Sequence, residues 1–275
     1  MNFGKLKKCG EEPGTNLMKN NITAIILTGN EEDNILKCLE ALKICDQILV
    51  IDDFSTDKTV ERINSLNKSE DFPKHEVKIY QNRVNGDFGA QRNFAINKAE
   101  NEWLLFIDAD EIITSSLMEE IILNTSTDRG FNAFYIKRKD YFLGKLLNYG
   151  ETGNISFIRL AKKGKGEWKG KVHEIWQIEG NIGKLENPLY HYSHKSIKGF
   201  LQKINSYSDI VAQYWIEKGR RSGLYQILFV PFLKFVYNYW TRMGFLDGIH
   251  GFIMAVMMSF HSFLVRSKVY LHQLR

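Results

Sequence analysis

The residues best able to do chemistry are acidic groups that follow apolar runs. Trp103-Leu104-Leu105-Phe106-Ile107 drives straight into Asp108-Ala109-Asp110-Glu111. A run apolar on both faces reads as a central buried strand, and ligands of open α/β sheets sit at the carboxyl ends of such strands. Two carboxylates in alternate positions there are costly unless a cation joins them. A hard divalent ion, bound through one or two carboxylates and the oxygens of a diphosphate, is the natural occupant. The plain structural alternative is an acidic cluster opening a helix, which the helix dipole favours. A second run, Ile48-Leu49-Val50-Ile51, ends in Asp52-Asp53-Phe54-Ser55-Thr56-Asp57. An acidic group there can accept a donor from a ribose or base, and Ser, Thr and Asp equally serve as turn and cap residues. The coincidence of two acidic strand ends is the informative feature.

The first apolar run ends in Thr28-Gly29-Asn30-Glu31-Glu32. It lacks G-x-G-x-x-G, which argues against a dinucleotide oxidoreductase, and G-x-x-x-x-G-K-[ST], which argues against a P-loop NTPase. Nucleotide binding must use another grammar. Asn85 to Asn93 (NGDFGAQRN) is a glycine-bearing loop opening a helix, with Arg92 in its first turn. An arginine and free backbone donors there suit a phosphate or a base edge, the alternative being a solvent-exposed helix arginine.

The elements that must position these groups follow from the pattern. From Asn20, ITAIILT, DNILKCLEAL, QILVID, KTVERINSL, VKIY, GAQRNFAINKA and WLLFID alternate strand-like with helix-like texture, the order that builds a parallel sheet covered by helices. Asn30 with Asp33, Thr56, and Ser116 with Glu119 read as helix starts. After about Gly130, FNAFYIKR, NISFIRLA, HEIWQIE and PLYHYS predict a mixed or antiparallel extension of that sheet. From Ser196 the pattern is helical, with Leu201, Ile204, Tyr207, Val211, Tyr214 and Trp215 on one face. The expected division is a loose leader over 1–20, an α/β domain over 21–195 and a helical segment over 196–275.

Composition agrees: 275 residues, 44% hydrophobic, 25% charged, 37 basic against 32 acidic side chains describe an ordinary globular chain and exclude disorder or a collagen-like repeat. A net charge of +5 is too mild to imply nucleic acid. Three cysteines (Cys9, Cys38, Cys45) make neither a disulfide framework nor a CxxC metal knuckle, and the leader has no secretory run, so a cytosolic protein is expected. The apolar stretches Ile227 to Trp240 and Ile249 to Val265 are interrupted by Pro231, Lys234, His250 and His261 and barely reach the roughly twenty residues a bilayer core demands. Their aromatic bodies and basic flanks, Lys203, Lys218, Arg220, Arg221, Arg242, Arg266 and Lys268 among them, favour lying on an anionic membrane surface over spanning it. A helical subdomain packed on the sheet, or an oligomer contact, is the bland alternative.

Taken in order, ITAIILTGNEEDNI, VIDDFSTDKT, GAQRNFAI and WLLFIDADE resemble the family-2 glycosyltransferases of GT-A fold. GKVHEIW, PLYHYSHKS and GFLDGIHGFIMAVMMSFHSFLVRSKVY resemble the branch containing the lipopolysaccharide core β-1,4-glucosyltransferases. The resemblance implies a Rossmann-like mixed sheet with a C-terminal amphipathic helical segment. It implies transfer of a hexose, most simply glucose, from a UDP-sugar to a membrane-associated saccharide or lipid, with inversion, peripherally on the cytoplasmic face of the inner membrane.

The same resemblance implies roles by position. Thr28, Glu31, Asp52 or Asp53, and Arg92 would meet the nucleotide. Asp108 and Asp110 would be the pair for Mg²⁺ or Mn²⁺, Asp110 the direct ligand and Asp108 also reaching the ribose, with His191 or His194 added to the metal. Glu174 is the closest match to the base, in His-Glu where the family carries an acidic pair, with Glu151 and Glu167 as competitors. Trp168 and Trp176 are either sugar platforms or core, and Arg159 with Lys162, Lys163, Lys165, Lys169 and Lys171 forms a basic loop. Two rival readings are a nucleotidyltransferase on a related sheet, disfavoured because its glycine- and lysine-rich first loop is missing, and a non-catalytic membrane scaffold.

Overall fold

The structure, a computed structural model, describes residues 20–69, 72, 77–153, 155–171, 174–194 and 196–274, with the backbone alone for 193 and 194. All of the expected leader except Asn20 lies outside the described residues.

The N-terminal half alternates as β1 (Ile22–Thr28), α1 (Ile35–Ala41), β2 (Gln47–Asp52), α2 (Thr59–Asn67), β3 (Lys78–Gln81), α3 (Phe88–Ile96) and β4 (Trp103–Asp108). β1 and β2 are buried at every position and β4 at all but Asp108, because helices on both faces leave no solvent side for polar alternation. The strands pair in parallel in the order β3-β2-β1-β4. Register sets Thr28 beside Asp52 and Leu27 beside Asp108, so three strands deliver their carboxyl ends to one edge. One apolar core gathers Ile26, Leu39, Val50, Leu105 and Leu117 under α1 and its neighbours; the other gathers Ile25, Leu49, Ala95 and Phe106 under α3.

Three helix starts differ from expectation. Asn30 caps nothing; its Oδ1 accepts the N–H groups of Thr56 (2.8 Å) and Asp57 (3.3 Å), tying two loops together. At the start of α2, Asp57 rather than Thr56 accepts the Thr59 N–H at 2.9 Å. Thr114 rather than Ser116 caps the helix Ser115–Thr125, accepting the Leu117 N–H at 3.1 Å.

Beyond β4 come β5 (Glu111–Ile113), α4 (Ser115–Thr125), β6 (Ala133–Phe142), β7 (Lys145–Leu146), β8 (Ile155–Lys162), β9 (Gly166–Lys169), β10 (Ile175–Ile178), β11 (Ile182–Lys184) and β12 (Leu189–His194). β8 joins β4 antiparallel, and the sheet continues through β6, β12 and β5, with β12 parallel to β6 and antiparallel to β5. The mixed extension is therefore present, except that the HEIWQIE segment supplies β10 of a separate hairpin with β9. There Trp168 and Trp176 sit opposite each other, stack at 5.1 Å and pack buried against Phe106. They are core.

The chain closes with α5 (Ile197–Glu217), capped by Ser196, then α6 (Leu224–Val236), a π-helical turn (Tyr237–Thr241), a 3-10 turn (Gly244–Asp247) and α7 (Ile249–Gln273). The buried residues of α5 are Phe200, Ile204, Ser208, Val211 and Ala212, so the face is rotated from the expected one and leaves Leu201 and Tyr207 exposed. Phe142 and Leu147 share a third core with Phe200, Ile204, Met254 and Met257. Buried Asp247 accepts the N–H groups of Asn148 (3.0 Å) and Tyr149 (2.9 Å), and its carbonyl accepts Lys145 Nζ at 2.7 Å. Among the described residues α7 alone is long and apolar enough to cross a membrane, with 33% of its apolar window buried inside the molecule.

Candidate active site

Four groups at the ends of β1 and β2 find different local uses. Asp52 is buried and both its oxygens are engaged by Ser55, which donates its N–H at 3.1 and 3.3 Å and its hydroxyl at 2.5 Å. This is the turn role that Asx residues fill locally. Asp53 accepts the Val84 N–H at 3.0 Å. Glu31 accepts from Asn34 Nδ2 at 2.6 Å. The buried Thr28 hydroxyl has no hydrogen-bond partner among the described residues.

From Glu174 a line of alternating charges crosses the crevice. Arg92 Nε donates to Glu174 Oε1 and its Nη2 to Asp108 Oδ1, each at 3.1 Å. Arg159 Nη2 donates to Asp108 Oδ2 at 2.7 Å and Glu111 Oε1 at 2.9 Å. Arg138 stands 3.8 Å from Glu111 and 3.0 Å from Asp140. Asp140 meets His191 Nδ1 at 2.7 Å, and His191 Nε2 lies 3.4 Å from Asp110 Oδ1. Lys203, carried on α5, is 3.4 Å from Asp110 Oδ2 and 3.8 Å from Glu31.

Burial alone would neutralise these carboxylates; the cations reverse it for some. Against the penalty of burial, Arg159 and then Arg92 hold Asp108 far below the usual carboxylate range. Asp110 also works against burial: the His191 hydrogen bond and charge, with Lys203, bring it down to about 2. Glu111, fully buried, is raised, burial outweighing Arg159. His191 is raised to about 9: burial opposes its charge, but hydrogen bonds to Asp110 and Asp140 on its two nitrogens overcome that.

Arg92 is neither solvent-exposed nor free. It is buried, stacked over Trp168 at 4.7 Å, and clamps Asp108 to Glu174. Arg159 belongs to strand β8, not to a basic loop, and is buried. The competitors of Glu174 lie elsewhere: Glu151 bonds Asn238 at 2.8 Å and Lys234 at 3.1 Å beside the helical segment, and Glu167 pairs with Lys169 in the open. Tyr207, one turn beyond Lys203, remains 49% exposed at the crevice mouth. Partial burial and the charges of Asp108, Asp110 and Glu174 push its phenol up to about 12. Nothing in the sequence marks Arg138, Asp140 or Lys203 as site residues, and for Glu111 its place next to Asp110 is the one local hint.

The metal question turns on donor chemistry. Adjacent ligands of a small divalent ion stand about 3 Å apart, and Asp110 Oδ1 and His191 Nε2 are 3.4 Å apart. Asp140 on the far nitrogen supplies the outer contact that orients a ligating histidine. Two protein ligands fit an ion whose remaining positions belong to substrate oxygens and water, the ion taking the place of the proton that His191 Nε2 shares with Asp110. No group of three or more His, Cys, Asp or Glu arranged to hold a metal exists among the described residues. Asp108 is taken up by arginines instead, and the His194 side chain lies outside the described residues.

Known proteins are similar to this chain in sequence. The lipopolysaccharide core biosynthesis glycosyltransferase LpsC of Rhizobium meliloti (strain 1021) is 28% identical over 252 residues, covering 90% of this chain and 92% of LpsC. An uncharacterized glycosyltransferase of Rickettsia bellii (strain RML369-C) is 29% identical over 266 residues, covering 92% of this chain and 87% of that one. Among solved structures, S. aureus TarS 1-349 in complex with UDP-GlcNAc is 15% identical with a TM-score of 0.47, covering 88% of this chain and 81% of that chain. The family model described as Glycosyl transferase family 2 matches residues 23–179, which contain both acidic strand ends, Arg92, Arg159 and Glu174. The chain belongs to glycosyltransferase family 2 and is a glycosyltransferase of GT-A fold.

Proposed function

We propose that the chain moves a hexose, glucose in our reading, from a UDP-sugar to a membrane-associated saccharide or lipid, with inversion, in lipopolysaccharide core assembly. The observation that carries this reading is the crevice: Asp110 beside His191, and Glu174 tied through Arg92 to Asp108, at the carboxyl edge of three parallel strands. The likeness to LpsC along nearly its whole length supports the acceptor class.

Asp110 and His191 would hold Mg²⁺ or Mn²⁺, the imidazole admitting the softer ion beside a hard carboxylate. A divalent ion bound there supplies charge neutralisation for the diphosphate as it leaves. The chain's own groups do the rest. Arg92 Nη1 and Arg159 Nε are buried N–H groups without a partner among the described residues, suited to the oxygens of the sugar nucleotide. Thr28, Glu31 and Asp53 face the nucleoside, while Asp52 shapes the loop through Ser55. Lys203 adds positive charge from α5 beside Asp110. Glu174 takes the proton of the attacking acceptor hydroxyl, and the Arg92 hydrogen bond fixes its direction.

In this reading residues 21–195 form the catalytic domain and 196–275 attach it peripherally to the cytoplasmic face of the inner membrane. Leu228, Phe229, Phe232, Trp240, Leu246 and Ile249 are each more than half exposed on the helical segment, an apolar face larger than soluble surfaces keep open.

Calorimetric titration with several nucleotide-sugars, with and without Mn²⁺, followed by product analysis, tests the reading. Tightest binding is expected for a UDP-sugar, strengthened by Mn²⁺, with UDP released on turnover. Glu174→Gln should keep donor binding and lose turnover by about two to four orders of magnitude. Full turnover in that variant moves the base elsewhere; no binding of any UDP-sugar removes the donor assignment.

A further inference from the structure

The helical segment carries the chain's whole excess of positive charge. Residues 196–275 hold ten Lys and Arg against three Asp and Glu, and the preceding 195 residues hold 27 against 29. Some of that charge is used internally: Lys203 on Asp110, Lys234 on Glu151 and Lys268 on Asp209 at 2.5 Å. Lys218, Arg220, Arg221 and Arg266 have no carboxylate partner among the described residues.

Two of these cations converge on one ring. The guanidinium carbons of Arg220 and Arg266 lie 5.2 and 5.3 Å from the Trp215 centroid. Arg220 is fixed by its N–H to the Trp215 carbonyl at 2.9 Å. Arg266 spends Nη1 on Ser262, at 3.2 Å to the carbonyl and 2.7 Å to the hydroxyl, and its Nε and Nη2 have no protein acceptor among the described residues. A guanidinium stacked on an indole keeps its donor fork in plane and available, which suits a phosphate.

The cluster stands at the rim of the apolar face. Ser222 donates its N–H to Gln273 Oε1 at 3.2 Å and accepts from Gln273 Nε2 at 2.9 Å, pinning the basic turn to the end of α7. Leu224, Tyr225 and Leu228 follow at once, and Leu271 and Leu274 flank Gln273, all more than half exposed. We propose that Arg220 and Arg266, gathered around Trp215, together with the adjoining exposed Arg221, bind the phosphodiester headgroup of an anionic phospholipid, so that the helical segment selects anionic bilayers. This rests on the reading of that segment as membrane-attaching. A second copy of the chain is the poorer occupant, because a symmetric contact would set this unneutralised charge against itself.

Co-flotation of the full-length chain with phosphatidylcholine vesicles, with and without about one third phosphatidylglycerol and at low and high salt, tests the inference. The wild type should partition more strongly onto anionic vesicles and lose that excess in salt. R220Q/R221Q, two exposed positions, should lower anionic partition about thirtyfold, at roughly fivefold per cation, with an unchanged melting curve and unchanged neutral partition. R266Q should act in the same direction. F229S/F232S should lose binding to both vesicle types. Equal wild-type flotation on both vesicles, or unchanged partition of R220Q/R221Q, overturns the headgroup site and leaves attachment standing. No flotation on either, with a dimer in sedimentation, overturns attachment and the headgroup site together.

Discussion

Asp108 has a guanidinium on each oxygen, and this decides what its neighbours contribute. Arg159 is buried and serves two carboxylates, Asp108 and Glu111. Arg159→Met leaves both without their closest cation, a change that typically costs about 3–5 kcal/mol, so its thermal unfolding midpoint should fall by many degrees. Lys203 is a contrasting case. Its side chain is 42% exposed beside Asp110, so Lys203→Gln should change stability by less than about 1 kcal/mol. Turnover should nevertheless fall about ten- to a hundredfold, because the positive charge aimed at the diphosphate is gone. Steady-state kinetics and melting curves on the two variants separate the roles; equal stability losses would make Lys203 a structural residue only.

At the scale of elements, Glu120 shows how α4 is held to the strand before the crevice. Its carboxylate accepts the N–H groups of Glu186 (2.8 Å) and Asn187 (2.9 Å) and the Asn187 side-chain amide (2.8 Å), fixing the approach to β12 and thus His191. Burial opposes ionisation, but these hydrogen bonds lower its pKa below 4.5. The stability it adds is therefore complete above about 4.5 and lost as pH falls through the folded value. Glu120→Gln should cost about 1–2 kcal/mol at neutral pH, and the gap between variant and wild type in denaturant titrations should close in acid. Legibility followed the same division between local and distant causes. β1, β2 and β4 coincide with ITAIILT, QILVID and WLLFID because a doubly covered strand must be a continuous apolar run. β5 is three residues with no local signature; β12 makes it a strand by pairing from the far end of the sheet. Asp108 and Asp110 stand out in the sequence as a strand-end motif and Glu174 only as the closest match that the family resemblance implies, whereas Arg159, Arg138 and Asp140 acquire meaning only once β8 stands beside β4 and β6 beside β8. Lys203 read as membrane rim because nothing local announces that α5 folds back to Asp110.

For the whole molecule, the consequence is that residues 196–275 do not form a detachable tail. The third core joins Phe142 and Leu147 of the sheet region to Phe200, Ile204, Met254 and Met257, and Asp247 satisfies two backbone N–H groups of the 148–149 loop. Cutting the chain after residue 195 uncovers Phe142 and Leu147, frees those donors and removes Lys203 from Asp110. Fully burying a side chain of Phe or Leu size contributes about 1.5–3 kcal/mol, and a domain's net stability is about 5–15 kcal/mol, so losing several such contacts consumes most of it. The 1–195 fragment should therefore aggregate or melt far below the full chain. F229S/F232S, which changes only outward-facing side chains, should melt like the wild type while leaving the vesicle. A soluble, cooperatively folded 1–195 fragment with undiminished nucleotide-sugar binding would show instead that the crevice is complete without α5.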